Sequence, residues 1–232
     1  MKLLLTSGGI TNESIRQALI ELLGKPIAQA TALCIPTAMY AEPNSLYDTW
    51  QMLRQFEIGW QRYGVLELTA LPGLPEALWL PAVESADVLL VGGGVTAYLS
   101  YWLQTSGLAD KLPALLKNKV YVGASAGSMV VTHHLTLNQD ELAQTGIYYD
   151  DNYEEAAPRH LGSNKTVRLV DFIIRPHLNA DSFPRIIIAN LTRQAAQSTV
   201  PLYAIDDQTA LKVVDGCVEV ISEGEWRLFA GQ

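Results

Sequence analysis

The sequence predicts an α/β fold built on a mostly parallel central sheet that is covered on both faces. Two observations predict it. Short apolar runs alternate with longer amphipathic stretches along the 232 residues. The short runs are apolar nearly throughout instead of alternating with polar residues, as strands buried on both faces require.

In chain order, 2–6 reads as the first strand. The stretch 13–23 places Ile15, Ala18, Leu19 and Leu22 at helical spacing, and Gly24 stops it. A second strand follows at 32–36. Residues 47–63 are helix-like, with Trp50, Leu53, Phe56 and Trp60 on one stripe that suits a core. The run 66–71 reads as a strand. The segment 72–81 reads mainly as loop, because it holds Pro72, Gly73, Pro75 and Pro81.

The strand 86–91 runs into Gly92-Gly93-Gly94, and a helix is expected at 96–103. A short helix at 112–116 precedes the strand 119–122, and 126–133 reads as the next helix. Residues 138–165 are polar, acidic and rich in tyrosine, and read as a long surface excursion suited to a lid or a dimer contact. The strand 170–174 ends in Arg175-Pro176-His177. A helix is expected at 183–197, with residues 186–188 buried. The strand 202–205 ends in Asp206-Asp207. Three β-strands close the chain at 210–214, 218–221 and 226–229, joined by Asp215-Gly216 and Glu223-Gly224 turns. Without a repeat or linker, 1–232 is expected to be a single domain.

Composition narrows the function. A formal net charge of -8 with no Lys/Arg cluster argues against nucleic acid as a partner. Cys34 and Cys217 each sit in an apolar run, which predicts buried free thiols in a reducing compartment. The opening Met1-Lys2-Leu3-Leu4-Leu5 is too short an apolar run for a targeting segment, and no run reaches membrane-spanning length. A cytoplasmic protein without membrane contact is expected. His133 and His134 are adjacent and cannot face the same way on a helix, so no metal or other cofactor is expected.

In parallel sheets the ligand site lies beyond the carboxyl ends of the strands. Four segments pass that filter. Gly123-Ala124-Ser125-Ala126-Gly127 matches the Gly-x-Ser-x-Gly elbow between a strand and a helix. There a serine sits on a sharp turn, small neighbours let the turn pack closely, and helix N–H groups face an oxyanion. Ser128 is a competing hydroxyl but falls within the helix. Gly92-Gly93-Gly94 lets backbone approach a ligand; it lacks both the dinucleotide and the P-loop spacing. His177 follows a strand directly and suits a general base for serine. A carboxylate must orient that base. Asp207 is preferred because it follows a strand, and Asp140 is the alternative.

These segments, with Ile35-Pro36-Thr37-Ala38, resemble the peptidase E (aspartyl dipeptidase) family of serine peptidases, which also includes cyanophycinase. They occur in family order and span nearly the whole chain. The resemblance implies a three-layer α/β/α sandwich like the class I glutamine amidotransferases, with additional C-terminal strands. It implies Ser125 as nucleophile and His177 as base. It implies oxyanion donors at Gly93 or Gly94 and at Ala126. The family commonly carries glutamate where Asp207 stands, and often asparagine where Val95 stands. Recognition of an acidic side chain on the substrate would fall to Arg185, the nearest arginine beyond His177. The implied protein is a cytoplasmic dipeptidase acting on small peptides and preferring N-terminal aspartate, as a monomer or homodimer. The competing classes are an amidotransferase-like domain that only binds a metabolite, and an esterase or other acyl hydrolase.

Overall fold

A computed structural model describes residues 1–42, 45–135, 162–196 and 198–231, and the backbone alone of residues 45–47. Ten strands are described: β1 (Lys2–Thr6), β2 (Thr31–Ile35), β3 (Arg62–Val65), β4 (Val88–Val91), β5 (Val120–Ala124), β6 (Ile173–Arg175), β7 (Leu202–Ile205), β8 (Thr209–Val214), β9 (Cys217–Ser222) and β10 (Trp226–Phe229). The helices are α1 (Glu13–Leu23), α2 (Ser45–Phe56), α3 (Glu76–Ser85), α4 (Thr96–Thr105), α5 (Leu108–Leu115), the single-turn α6 (Ala126–Met129) and α7 (Ile188–Ala195).

The central sheet has seven strands in the order β3-β2-β4-β5-β1-β8-β9. It is parallel from β3 to β1, and β8 and β9 add antiparallel at the far edge. Strand β1 shows why its run is apolar throughout. Leu3 and Leu5 enter one core with Val91, Tyr121 and Leu211. Leu4 points the other way, into a core with Ile15, Leu19, Leu90 and Val122. Successive side chains alternate faces, so a strand covered on both sides must be apolar at every position.

Local chemistry sets the element ends. Asn12 Oδ1 accepts the Ile15 N–H at 2.9 Å and caps α1, a contact worth about 1 kcal/mol in such positions. Gly24, at φ 69°, ends that helix in the left-handed conformation.

Several expectations are corrected. The segment expected as loop over 72–81 contains most of α3. Trp79 and Val83, one turn apart, are both buried, and this burial outweighs the hydrogen bond lost at Pro81. The strand expected at 66–71 is β3 a little earlier, followed by a 3₁₀ segment at Leu68–Gly73. Leu68 and Leu71 are buried there, three residues apart, as one 3₁₀ turn requires. The helix expected at 183–197 shrinks to α7: Pro184 disfavours helical backbone at Phe183, and Ile186 is held in a turn, its N–H donating to the Phe183 carbonyl and its carbonyl accepting the Asn179 N–H. Ile186 is buried, but Ile187 and Ile188 are partly exposed. On α2 the inward residues are Met52 and Phe56, whereas Trp50 is 65% exposed. Cys34 is a buried free thiol, and Cys217, at the start of edge strand β9, is an exposed one. The acidic excursion lies largely outside the described residues.

A second sheet, in the order β10-β7-β6, was not expected. Its β6 and β7 are parallel, and β10 joins antiparallel. Among the described residues, no helix is long and apolar enough to cross a membrane.

Candidate active site

Strands β4, β5 and β1 are neighbours, with Val91 paired to Gly123 and Thr6 paired to Ala124. Their carboxyl ends bring Gly92-Gly93-Gly94, Ser125 and Ser7 side by side. The second sheet brings His177, just beyond β6, and Asp207, just beyond β7, to the same place.

The elbow at Ser125 is a backbone outlier. Its φ is 48° and ψ is -111°, a region that non-glycine residues avoid. Such a conformation costs roughly 1–3 kcal/mol and persists only where the surroundings fix it. Here they do. The Ser125 N–H donates to the Thr6 carbonyl at 3.1 Å. The Thr6 hydroxyl donates to the Gly123 carbonyl at 2.7 Å. Tyr121, fully buried, donates its hydroxyl to the Gly127 carbonyl at 2.6 Å. The two glycines of the motif are needed for contact. A Cβ on Gly123 would stand 2.6 Å from the Gly127 carbonyl, and one on Gly127 would stand 2.1 Å from the Val91 oxygen. Ser128 is fully buried and donates to the Thr6 carbonyl at 2.7 Å, so it serves packing.

His177 Nε2 lies 2.9 Å from Ser125 Oγ, and its Nδ1 lies 2.7 Å from Asp207 Oδ1. Burial pushes the Asp207 carboxyl upward. The His177 hydrogen bond, the His177 charge and the Ser7 hydroxyl pull the other way, and leave it below its ordinary range. An ionised carboxylate only accepts, so Nδ1 carries the proton towards Asp207. In the neutral ring Nε2 is then the acceptor and the Ser125 hydroxyl is the donor. Phe183 stacks on the imidazole, with centroids 4.1 Å apart and planes inclined by 17°. The Leu178 N–H, donating to Ile205 O at 3.0 Å, ties this loop to β7.

The glycine loop faces the serine. A Cβ on Gly93 would stand 3.3 Å from Ser125 Cβ, a tight contact that glycine avoids as this backbone approaches the serine. Gly94, at φ 125°, packs against the Ala38 carbonyl, which accepts the Val95 N–H at 3.0 Å. Among the described residues, nothing accepts the N–H groups of Gly93, Gly94 or Ala126.

The other sequence candidates fall elsewhere. Asp140 lies outside the described residues. Arg185 is exposed and is not among the residues lining the cleft. His133 and His134 contact each other, Nδ1 to Nδ1, at 2.9 Å, and Arg168 reaches His133. Among the described residues, no group of three or more His, Cys, Asp or Glu is placed to hold a metal ion. Two residues of the site are not singled out by the sequence: Phe183, which stacks on the His177 ring, and Ser7, which touches both His177 and Asp207. The one signal for Ser7 is position, since it directly follows the first strand.

A cleft of about 700 Å³ opens over Ser125 and His177. Gly93, Gly94 and Phe183 border it on the side of the reacting groups. Met52 and Phe56 supply an apolar wall, and Glu42 and Asp48 supply its acidic groups, with no Lys or Arg among the described lining.

The fold has counterparts among known proteins. The family model for peptidase family S51 matches residues 3–221. A solved structure from Listeria monocytogenes EGD-e, assigned to peptidase E, superposes with a TM-score of 0.64 at 20% identity, covering 96% of this chain and 98% of that one. A peptidase from an acI-B1 Actinobacterium superposes with a TM-score of 0.62 at 20% identity, covering 100% of this chain and 91% of the other. No curated protein matches the chain significantly.

Proposed function

This chain belongs to peptidase family S51 and is a serine-type peptidase, and we propose that it hydrolyses small peptides through an acyl-enzyme on Ser125. The observation that carries this reading is the continuous run of hydrogen bonds from Ser125 Oγ through the His177 ring to Asp207.

The chemistry follows from the donors and acceptors. His177 Nε2 takes the Ser125 proton as Oγ attacks the peptide carbonyl. Asp207 stabilises the resulting imidazolium and holds the ring in its productive tautomer. The N–H groups of Gly93 or Gly94 and of Ala126 receive the oxyanion, each worth ~3 kcal/mol of barrier in comparable sites. His177 then passes the proton to the leaving amine, and the C–N bond breaks. Water repeats the sequence on the ester: His177 accepts its proton, the acyl C–O bond breaks, and Ser125 recovers its hydrogen.

The size of the cleft supports small substrates, since ligand pockets generally span about 300–1,000 Å³. The family resemblance raises a dipeptidase preferring N-terminal aspartate. That preference needs a cation beside the substrate carboxylate, and Arg185 is not in the lining. Glu42 and Asp48 instead favour a substrate that turns an ammonium group towards this wall. Hydrolysis of a dipeptide panel, with Ser125→Ala as the blank, tests both statements. Ala-Leu is expected to be cleaved at least as fast as Asp-Leu. A tenfold advantage for Asp-Leu restores the aspartate preference, and no cleavage of any short peptide removes the dipeptidase reading.

A further inference from the structure

Ser7 is the residue at which the base and the carboxylate of the site are tied together. It sits immediately beyond β1, an interior strand of the main sheet, and is 1% exposed. Its Oγ lies 2.7 Å from the His177 backbone nitrogen and 2.5 Å from Asp207 Oδ1. The directions of both bonds follow from what each group can do. A backbone N–H only donates, so Ser7 Oγ accepts from His177. The single hydroxyl proton is then free to go to the carboxylate, which only accepts. The third side is the Nδ1 bond from the His177 ring to the same Oδ1 at 2.7 Å. Ser7 Oγ is 3.4 Å from Nδ1, too long to compete for that proton.

The three contacts form a closed loop: His177 N–H to Ser7, Ser7 O–H to Asp207, and the His177 ring N–H to the same carboxylate oxygen. The loop fixes two things that an isolated Asp-His pair leaves open. It holds His177 at φ 61°, a conformation a histidine seldom adopts, and so fixes where the ring leaves the backbone. It also makes Oδ1 share its charge between two donors.

We infer that Ser7 is a positioning residue for the peptidase reaction, which sets both the orientation of the His177 ring and the basicity of the His177–Asp207 pair. This rests on the reading of Ser125 and His177 as nucleophile and base. A serine that merely fills space affects stability alone. A positioning serine also affects the chemistry, in a predictable direction. Without the Ser7 hydroxyl, Asp207 loses a donor and binds the imidazolium more strongly. His177 then holds its proton to higher pH, and the acid limb of kcat/KM moves upward.

The test compares kcat, KM and the pH profile of dipeptide hydrolysis in wild type, Ser7→Ala, Ser7→Thr and Ser7→Cys. Melting curves confirm that each variant is folded. Ser7→Ala is expected to lose about 10–100-fold in kcat, the scale of a catalytic group displaced by an ångström, with KM within about twofold. Its acid limb should move to higher pH. Ser7→Thr, which keeps the hydroxyl, should return the limb towards wild type. Ser7→Cys, a poor donor of nearly the same shape, should behave like Ser7→Ala, and stands in for it if the alanine variant does not fold. An unmoved acid limb in a folded Ser7→Ala or Ser7→Cys overturns the inference, as does Ser7→Thr shifting the limb as far as Ser7→Ala. Fluorophosphonate labelling of the wild type separates the two levels. If Ser125 is not labelled, the reading of the reaction itself fails. If it is labelled while the Ser7 variants behave as wild type, only the role of Ser7 fails.

Discussion

Gly127 lies so close under β4 that a methyl group at its Cα would stand 2.1 Å from the Val91 carbonyl oxygen. The second glycine of the serine elbow is therefore a packing requirement between backbones. Because the obstructing atom is main chain, no side-chain rotation relieves the clash. Gly127→Ala is expected to destabilise the protein by at least about 1–3 kcal/mol, the usual penalty of overpacking. Urea unfolding of the purified variant measures it, and an unchanged midpoint contradicts this packing.

The strain at Ser125 predicts a trade between stability and activity. Glycine adopts its φ of 48° and ψ of -111° without a Cβ penalty. Ser125→Gly should therefore be more stable than Ser125→Ala by about 1 kcal/mol, on the scale of measured backbone strain. Both variants should be inactive. Thermal melting of the pair checks the order, and a more stable Ser125→Ala would mean that the serine backbone is relaxed, because glycine costs about 0.5–1 kcal/mol in backbone entropy.

Asp207→Asn removes the acceptor that holds the His177 tautomer. By analogy with other Ser-His-Asp sites, kcat should fall on the order of 10⁴-fold. The same substitution has a signature in stability. The folded carboxyl sits below its ordinary range, so wild-type Asp207 stabilises the fold above the unfolded value of about 3.9. That contribution is lost as pH falls through the lower, folded value. The gap in melting temperature between wild type and Asp207→Asn should accordingly narrow below about pH 4. A constant gap down to strongly acidic pH contradicts a depressed Asp207.

Phe183 lies flat against the His177 ring. Aromatic pairs of this kind contribute about 0.5–1.5 kcal/mol beyond area burial. Phe183→Leu, which keeps apolar bulk, should lower kcat by about 3–10-fold, that energy expressed as rate. Steady-state kinetics reads the loss, and unaltered turnover assigns Phe183 to the cleft wall alone.

Much of this arrangement is legible in the sequence because strand ends are. The rule that chemistry follows a strand selects Gly92-Gly93-Gly94, Ser125, His177 and Asp207, and the fold brings these positions together. The same rule applies to Ser7, but a serine in a glycine-rich turn carries no pattern of its own. Its meaning lies in contacts to residues at positions 177 and 207. The second sheet was hidden for a related reason. Strands β6 and β7 are apolar runs like those of the central sheet, and nothing local states which partner a strand selects. Local signals also misled where two competed. Pro81 suggested a loop, but the buried Trp79 and Val83 prevailed. Apolar spacing suggests a helix from Phe183, but the turn that joins Ile186 to Phe183 and Asn179 delays it to Ile188.

The most direct test of the account is intact-mass and peptide analysis after treatment with a fluorophosphonate. Attack by Ser125 Oγ forms an O–P bond and expels fluoride. One stoichiometric adduct is expected, on Ser125, that Ser125→Ala eliminates and His177→Ala slows by orders of magnitude. No adduct, or an adduct on another serine that survives Ser125→Ala, would contradict it.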